Sequence, residues 1–284
     1  MNANRRSAGV FAGVVLAMFG LSGVAFGDPY VTNFNFTGAA FGSPAWTLNG
    51  NAFWANDGAL SPSTRLRTTA NNLGENGSAW LNTQIMPSAN WAISVTGQFS
   101  MANGSGADGM ALIFQTYGLN SDPLVGDFDP TNMPTAQLGA DYLIINLDSY
   151  QNTGEPANGL EFFTKLGNTD QDLGTSLEGA EGQGFTFNLN ASYDVGLQTL
   201  QYTYQRSGYS DVTVVRTNFD MALRFPSNNT AYVGFHGGTG ASAENHDVLG
   251  MTINAAVIPE PGTITLLAGA GLLAMVARRL RRRP

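Results

Sequence analysis

The chain has 284 residues, of which 43% are hydrophobic, only 12% are charged and none is cysteine, so disulfide and thiolate-metal chemistry are excluded. Between Asp28 and Ile258, six basic residues stand against 20 acidic residues, which gives this region a net charge near −14. Such an acidic domain repels phosphate backbones, so we expect no nucleic-acid partner, whereas divalent cations and neutral ligands suit it.

The N-terminus is typical of an export signal over residues 1–27. Arg5 and Arg6 form its basic end, Val10–Leu21 its apolar core and Ala25–Gly27 a small-x-small cleavage site. A permanent membrane anchor is the alternative, but the apolar core is short for a spanning helix. We therefore expect this segment to be removed on export.

Residues 28–256 predict one all-β domain, a sandwich or barrel of many short strands without a credible helix. The clearest alternation places four apolar residues on one face of an extended strand: Trp91, Ile93, Val95 and Phe99. No segment repeats at a fixed period, so a repeat architecture is not expected.

Two polar segments within the domain are expected to be loops. Gly118–Leu138 is long for a connection, and we expect it to cover one end of the sandwich. Asn168–Gly184 is rich in Gly, Asp, Glu and Thr, a composition typical of loops. Before the first loop, Ala107-Asp108-Gly109 precedes the apolar strand Met110–Tyr117; alone, Asp-Gly predicts only a turn.

The stretch Asp141–Gly159 carries most of the candidate ligands. Tyr142–Ile145 is an apolar, β-branched run that predicts a buried strand. Beyond it, alternation puts four residues on one side of an extended chain: Asn146, Asp148, Tyr150 and Asn152. Together with Glu155 they offer carboxylate, amide and main-chain oxygens, which are the ligands that Ca²⁺ prefers. A strand that ends in a polar loop is the alternative interpretation of this stretch.

Residues 257–284 form a tail in three parts. Val257–Pro261 leads into the apolar stretch Gly262–Ala277, and five arginines follow. This order resembles a PEP-CTERM sorting signal, which an exosortase reads in Gram-negative bacteria. The resemblance implies export, transient inner-membrane anchoring through the apolar helix, processing near Pro259–Pro261, and attachment to or release from a surface layer rich in exopolysaccharide. A plain C-terminal membrane anchor is the alternative.

Three separated motifs occur in a characteristic order. They are Ala107–Gly109 before an apolar strand, Leu143–Asn152, and Ala231–Phe235 followed by Thr239-Gly240 and Glu244–Leu249. In this order and spacing, they resemble the L-type (legume-type) lectins over most of Asp28–Ile258. The resemblance implies carbohydrate binding and a concanavalin-like jelly roll, with two large antiparallel sheets and a small connecting sheet.

The resemblance also implies roles for individual residues. Sugar contacts fall on Asp108, Gly109, Tyr150, Asn152, Gly240, Ala241 and Ser242, and Ca²⁺ ligands on Asp148, Tyr150, Asn152 and Glu155. The Asp108 carboxylate would accept hydrogen bonds from two sugar hydroxyls, and the peptide between Ala107 and Asp108 is expected to be cis. Gly240 would be the main-chain donor of the last sugar loop, whose specificity Ala241 and Ser242 would shape.

The sequence departs from the family pattern at the metal-ligand positions. Asn146 stands where the transition-metal site has a glutamate, and Asn158 or Gly159 falls where its histidine is expected. We expect that second metal site to be weak or lost, because an octahedral site without a carboxylate and an imidazole binds poorly. The second Ca²⁺ carboxylate is Glu155 before Pro156, rather than an aspartate before proline, and its spacer is shortened.

Competing functions can be weighed against the same residues. The leading interpretation is a surface-associated carbohydrate-binding protein that is not an enzyme; the alternative is a structural or adhesive matrix protein whose sugar site has degenerated. A retaining β-glucanase of this fold carries Glu-x-Asp-x-Glu on a strand, and Asn146–Tyr150 lacks both flanking glutamates. A Ser-His-Asp hydrolase has no Gly-x-Ser-x-Gly elbow to support it. We expect His246 to pack in the final strand rather than bind metal.

Overall fold

The computed structural model describes residues 29–37, 45–56, 64–100, 106–120, 141–150, 159–164, 167–172, 184–226 and 229–257. The expected export signal, the tail beyond Val257 and nearly all of the loop Gly118–Leu138 lie outside these residues. Within the described ranges, no helix is long and apolar enough to cross a membrane.

The described residues form two antiparallel sheets. The eight-stranded sheet contains β1 (Pro29–Asn35), β3 (Phe53–Asn56), β4 (Thr64–Thr69), β6 (Trp91–Ser100), β11 (Gly184–Asp194), β12 (Thr199–Gln205), β13 (Val212–Arg216) and β15 (Asn245–Ala256). The seven-stranded sheet contains β2 (Trp46–Gly50), β5 (Asn76–Leu81), β7 (Gly109–Gln115), β8 (Tyr142–Asp148), β9 (Gly159–Thr164), β10 (Gly167–Asp172) and β14 (Tyr232–Gly238). The all-β sandwich of antiparallel sheets that the sequence predicts is confirmed.

Strand order shows how the chain passes repeatedly between the two sheets. In the eight-stranded sheet the order is β13-β12-β11-β6-β15-β4-β3, and β1 also pairs with β15. In the seven-stranded sheet the order is β10-β9-β8-β7-β14-β5-β2. Strands that are distant in sequence, such as β7 and β14, therefore lie side by side and bring their loops together.

The main core lies between the sheets, and strand alternation decides which residues enter it. In β6, Trp91, Ile93 and Val95 are at most 3% exposed, as the period-two pattern predicts. Leu189 of β11 lies directly opposite Val95 in the register and is buried with it. Burial of these side chains, each contributing roughly 1.5–3 kcal/mol, holds the two sheets together.

The centre of the seven-stranded sheet is buried on both faces. Strands β7, β8 and β9 are buried at every position. On the face away from the main core, their side chains form a second cluster together with Trp80 of β5: Ala111, Ile113, Tyr142, Ile144 and Phe163. Cover on both faces explains why Tyr142–Ile145 is a continuous apolar run without alternation.

One expected loop contains a strand. Part of Asn168–Gly184 forms the edge strand β10, so the prediction of a loop throughout this segment is wrong. The strand pairs along β9, with Gly167 opposite Thr164 and Asp172 opposite Gly159. Main-chain hydrogen bonds to a neighbouring strand override the weak β propensity of its Asn, Asp and Gln residues.

The expectation of no helix in the domain is wrong, because the structure contains a helix of one turn. Met221–Arg224 forms a short helix, α1, and Asp220 is its N-cap. The Asp220 carboxylate accepts a hydrogen bond from the Ala222 N–H at 2.9 Å, which satisfies one of the unpaired donors of the first turn. A helix of four residues is too short to show a 3.6-residue pattern in the sequence.

The small connecting sheet that the resemblance implies does not occur as a separate sheet within the described part of the chain. There, the pairing outside the named strands consists of two isolated bridges from Ile85, one to Ala231 and one to Val257. These bridges tie the start of β14 and the end of β15 to the segment between β5 and β6.

Candidate functional site

The predicted sugar-site motifs meet at one edge of the seven-stranded sheet. Gly109, the first residue of β7, pairs with Gly238 near the end of β14 and with Asp148 at the end of β8. The loops that leave β8 and β14 carry Tyr150 and Gly240. Antiparallel pairing therefore places three distant motifs side by side.

Asp108 is fixed to both neighbouring strand ends by its main chain. The Ala107–Asp108 peptide is cis, which confirms the expectation drawn from the resemblance. The Asp108 N–H donates to the Gly238 carbonyl at 2.7 Å, and the Asp108 carbonyl accepts from the Ser149 N–H at 3.1 Å. Asp108 is only 9% exposed, so a ligand must reach its carboxylate with a small group such as a hydroxyl.

Gly109 is required by the backbone at this strand end. Its φ is +141°, a conformation that residues with a side chain rarely adopt. A Cβ at this position would also lie 2.2 Å from the Leu147 carbonyl oxygen. A glycine here lets the chain turn from Asp108 into β7 while β7 approaches β8 closely.

Gly240 lies against the Asp108 carboxylate. A Cβ on Gly240 would lie 3.1 Å from Asp108 Oδ1 and 3.2 Å from Oδ2, so the two predicted sugar-site residues face one another. The Gly74 N–H donates to the Gly240 carbonyl at 3.2 Å. Beyond Gly240, Ala241 is exposed and Ser242 is half-buried, so both lie at the surface of this loop.

Asp148 and Tyr150 lie on the other side of Asp108. The Tyr150 N–H donates to Asp148 Oδ1 at 2.9 Å, which closes a tight turn after β8. Asp148 is 5% exposed, whereas Tyr150 is 37% exposed. The aspartate is therefore an internal ligand candidate, and the tyrosine presents part of its ring to solvent.

Comparisons with solved structures agree with this architecture. An acidic lectin from winged bean, complexed with methyl-α-D-galactose, matches with a TM-score of 0.62 at 16% identity, over 81% of this chain and 100% of that chain. A Bauhinia forficata lectin in complex with GalNAc matches with a TM-score of 0.61 at 15% identity, over 80% of this chain and 99% of that chain. The metal-free form of lectin I-B4 from Griffonia simplicifolia matches with a TM-score of 0.61 at 14% identity, over 78% and 98%.

This chain has the legume-lectin fold. The concanavalin-like jelly roll that the sequence predicts is therefore confirmed. A protein-family model described as "PEP-CTERM protein-sorting motif" matches residues 257–283, so the predicted sorting motif is confirmed as well. A search of the curated proteins finds no match to this sequence. Fold similarity at such low identity leaves the ligand to be argued from the site itself.

The lectin-fold site supplies oxygen ligands of the kind that Ca²⁺ prefers. Asp148 and Tyr150 are the expected ligands that lie within the described residues; nearby, the Asn146 Oδ1 is buried and accepts no hydrogen bond from a described residue. The other expected ligands, Asn152 and Glu155, lie outside the described residues. Within the described ranges, no group of three or more His, Cys, Asp or Glu could hold a metal. Among the described residues, the expected ligands are the Asp148 carboxylate and the Tyr150 main-chain carbonyl, and their chemistry fits Ca²⁺.

A transition metal does not fit the described residues around Asn146. The Asn146 Nδ2 donates to Glu161 Oε2 at 2.7 Å, and both residues are almost completely buried. The Asn146 amide N–H satisfies the Glu161 carboxylate without a metal. The partial positive charge of this N–H also disfavours a cation beside the carboxylate. The expected loss of the second metal site stays a prediction.

A buried carboxylate lies behind the sugar-site loops. Glu244 accepts a hydrogen bond from the Ser149 hydroxyl, and His246 Nε2 lies 3.1 Å from the same carboxylate oxygen. His246 Nδ1 in turn contacts the Thr69 hydroxyl. Gly106 packs against the other oxygen, since a Cβ on Gly106 would lie 2.5 Å from Glu244 Oε2. We call Glu244, His246, Ser149, Thr69 and Gly106 the Glu244 brace.

The Glu244 brace joins the three segments that carry the predicted site. Gly106 precedes Asp108, Ser149 lies between Asp148 and Tyr150, and Glu244 follows the Gly240 loop. The expectation that His246 packs in the final strand is confirmed, because it is fully buried and its ring contacts Phe99. Sequence reasoning missed the brace, although the Glu244-Asn245-His246 spacing, with two polar residues on one face of a strand, could have indicated it.

A second support that the sequence did not reveal is the turn before β5. The Thr239 N–H donates to the Glu75 carbonyl at 2.8 Å, and the Glu75 N–H donates to the Thr239 hydroxyl at 2.8 Å. The Thr239 hydroxyl also donates to the Asn72 carbonyl at 2.7 Å. These bonds hold the start of the Gly240 loop from the side opposite Asp108.

Proposed function

We propose that this chain is an exported lectin that binds a neutral glycan at the edge formed by Asp108, Tyr150 and Gly240, with Ca²⁺ as its cofactor. The observation that carries this proposal is the close approach of Gly240 to a nearly buried Asp108 carboxylate. A carboxylate held by main-chain bonds at a loop cluster is a pre-arranged acceptor for hydroxyl groups.

The chemistry of the site suits a sugar. The Asp108 carboxylate accepts hydrogen bonds from two sugar hydroxyls, while the main-chain N–H of Gly240 and the Asn152 amide donate to sugar oxygens. Tyr150 offers an exposed ring face to the apolar side of the sugar, and the Gly109, Ala241 and Ser242 positions set the shape of the loops. A neutral ligand of this kind needs a few well-placed polar groups and an apolar platform.

Ca²⁺ would be held by Asp148, the Tyr150 carbonyl, Asn152 and Glu155. When bound, it would supply the positive charge that neutralises the two carboxylates. The hydrogen bond from the Tyr150 N–H to Asp148 Oδ1 supports this role, because it fixes the Asp148 carboxylate beside the Tyr150 main chain. The protein itself then presents Tyr150 and Asn152 to the sugar in a fixed orientation.

The two ends of the chain indicate where the lectin works. Residues 1–27 direct export, and the PEP-CTERM motif at 257–283 presents the tail to an exosortase-type enzyme. The apolar stretch Gly262–Ala277 anchors the protein in the inner membrane until processing near Pro259–Pro261. The lectin then remains at the cell surface or in the extracellular matrix of a Gram-negative bacterium, where exopolysaccharide is the glycan at hand.

The first prediction concerns Asp108. Asp108→Ala is expected to weaken glycan binding by about 100-fold or more, because two charge-assisted hydrogen bonds worth about 1.5–3 kcal/mol each are lost. A glycan array identifies the best ligand of the purified protein, and calorimetric titration with that ligand measures the dissociation constants of the wild type and the variant.

Asp211→Ala is the matched control, because Asp211 is an exposed acid in the turn before β13, on the sheet that does not carry the site. It should leave the dissociation constant unchanged. Wild-type affinity in Asp108→Ala would contradict the proposal. Wild-type protein that binds no glycan on the array would favour the structural or adhesive matrix protein instead, since the same sandwich serves either role.

The second prediction concerns metal ions. After chelation, Ca²⁺ alone should restore glycan binding, and Mn²⁺ alone should not. The reason is that position 146, where a transition-metal site needs a carboxylate, holds an asparagine whose amide donates to Glu161. Elemental analysis of the purified protein checks this by its content of calcium and manganese. A requirement for Mn²⁺, or glycan binding that is indifferent to the chelator, would overturn the assignment of Ca²⁺.

A further inference from the structure

The outward surface of the eight-stranded sheet carries two neighbouring rows of uncharged side chains, and the first of them is polar throughout. Following the pairing register, one row crosses six strands from β1 to β13: Asn33, Thr252, Ser94, Asn190, Thr203 and Thr213. Every residue in this row bears a hydroxyl or an amide, and each is exposed or half-buried. Neighbouring strands lie about 4.8 Å apart, so the row extends for about 24 Å.

A second row runs beside the first on the same surface. It consists of Val31, Asn254, Ala92, Ser192, Gln201 and Val215. Neither row contains a charged residue, although the region between Asp28 and Ile258 has a net charge near −14. We call these two rows the polar face.

The polar face is ordered by its own hydrogen bonds and has a depression at its centre. The Thr252 hydroxyl donates to Asn33 Oδ1 at 2.6 Å, and the hydroxyls of Thr203 and Thr213 lie 2.9 Å apart. The bond from Thr252 leaves the amide N–H groups of Asn33 for a ligand. A depression of about 230 Å³ lies over the middle strands, lined by Ser94, Asn190 and other members of both rows.

We propose that the polar face binds a neutral polysaccharide chain. The amide and hydroxyl groups of its first row offer donors and acceptors to successive sugar hydroxyls, and the methyl groups of Ala92 and Val215 offer apolar contact to sugar C–H groups. A length of about 24 Å suits a polymer better than a single sugar. The lack of basic residues removes the partner that an anionic polysaccharide or a nucleic acid needs.

A second copy of the chain is a poorer occupant of this surface. The buried centres of protein interfaces are enriched in aromatic residues, Met and Arg and depleted in Ser, and neither row of the polar face contains an aromatic residue, Met or Arg. Two copies would also bring two strongly acidic domains together. A neutral polyhydroxylated chain needs no aromatic, Met or Arg contacts and is not repelled by the acidic domain.

The polar face and the Asp108 edge lie on different sheets of the sandwich, with the main core between them. One molecule can therefore hold two polysaccharide strands and cross-link them, and simultaneous engagement raises the apparent affinity for a polymer. This inference stands apart from the proposed lectin site, because it uses neither Asp108 nor Ca²⁺.

The test is affinity electrophoresis of the purified protein in gels that contain galactomannan, xyloglucan or dextran, with chelator present. Asp108→Ala should still be retarded by at least one of these neutral polysaccharides. Combining it with Ser94→Glu and Gln201→Glu, which place charges on the polar face, should weaken that retardation at least tenfold in apparent dissociation constant. The matched control combines Asp108→Ala with Ser207→Glu and Ser210→Glu in the exposed turn between β12 and β13, and it should be retarded like Asp108→Ala.

Each alternative outcome counts against the polar face as a polysaccharide site. Loss of all retardation in Asp108→Ala would assign polymer binding to the Asp108 edge alone. Equal retardation of the polar-face variant and its control would do the same. Failure of every polysaccharide to retard the wild type would also overturn the inference. A dimer in sedimentation velocity that Ser94→Glu and Gln201→Glu dissociate would make a second copy the occupant. Circular dichroism melting of each variant checks that it folds.

Discussion

Replacement of Asp247 by alanine is expected to lower the free energy of unfolding by about 3–5 kcal/mol, because it leaves two buried arginines without their counter-ion. The Asp247 carboxylate accepts from Arg67 Nε at 2.7 Å and Nη2 at 2.9 Å, and from Arg65 Nη1 at 3.3 Å. Asp247 and Arg65 are fully buried, and Arg67 is 6% exposed. Charges so far from water are tolerated only while they remain paired.

We expect the intact cluster to add little net stability, because the cost of removing three charges from water offsets their attraction. Burial raises the pKa of the Asp247 carboxyl, and the hydrogen bonds and positive charges of Arg67 and Arg65 only partly oppose this effect. A carboxyl whose pKa is higher in the folded state contributes stability at low pH that is lost as the pH rises through the folded pKa. The triple variant Arg65→Met, Arg67→Leu, Asp247→Leu should therefore be as stable as the wild type or more so at pH 7.

Urea denaturation at pH 7 measures both variants. Asp211→Ala is the control, because it removes an exposed aspartate from the turn before β13, and its effect should stay within about 0.5 kcal/mol. The triple variant should also lose the part of the pH dependence that Asp247 causes above about pH 4. A loss below about 1 kcal/mol in Asp247→Ala would mean that water reaches the two arginines.

The sequence predicts the parts of this molecule that depend on local pattern. Alternation over Trp91–Phe99 identifies β6 and the face that it buries, because side-chain direction in a strand follows a period of two. The cis peptide between Ala107 and Asp108 is predictable because the Ala107-Asp108-Gly109 motif resembles that of the L-type lectins, and this resemblance implies a cis bond. The same resemblance assigns Gly240 to the last sugar loop, whereas its position against the Asp108 carboxylate comes from the structure.

Features that depend on distant partners escape sequence reasoning. Arg67 and Asp247 are separated by 180 positions, and Ser149 and Glu244 by 95, so no local window contains both members of either pair. The polar row of Asn, Ser and Thr residues also emerges only when six strands are aligned in register. In β10, pairing with β9 outweighs residues that individually disfavour a strand.

Glu244→Ala is expected to weaken glycan binding at least tenfold and to weaken Ca²⁺ binding as well. Ser149 and His246 then lose their common hydrogen-bond acceptor, at a cost of about 1–3 kcal/mol. The peptide that links Asp148 to Tyr150 is no longer tied to the Gly240 loop through Ser149. Both ligands respond because Ser149 lies between the predicted Ca²⁺ ligands and also donates its N–H to Asp108.

The variant Glu244→Gln tests whether the hydrogen bonds of residue 244 position the binding site or whether its side chain only fills space. The glutamine side chain has the same shape, and its carbonyl oxygen can still accept from the Ser149 hydroxyl and from His246 Nε2, so affinity should return to within about threefold of the wild type. Gly106→Ala approaches the brace from the other side, because its methyl group would meet Glu244 Oε2 at 2.5 Å, and it should weaken binding as Glu244→Ala does. Calorimetric titrations with the best glycan and with Ca²⁺ measure all three variants. If Glu244→Ala melts at a lower temperature but binds both ligands with wild-type affinity, the brace stabilises the fold without positioning the site.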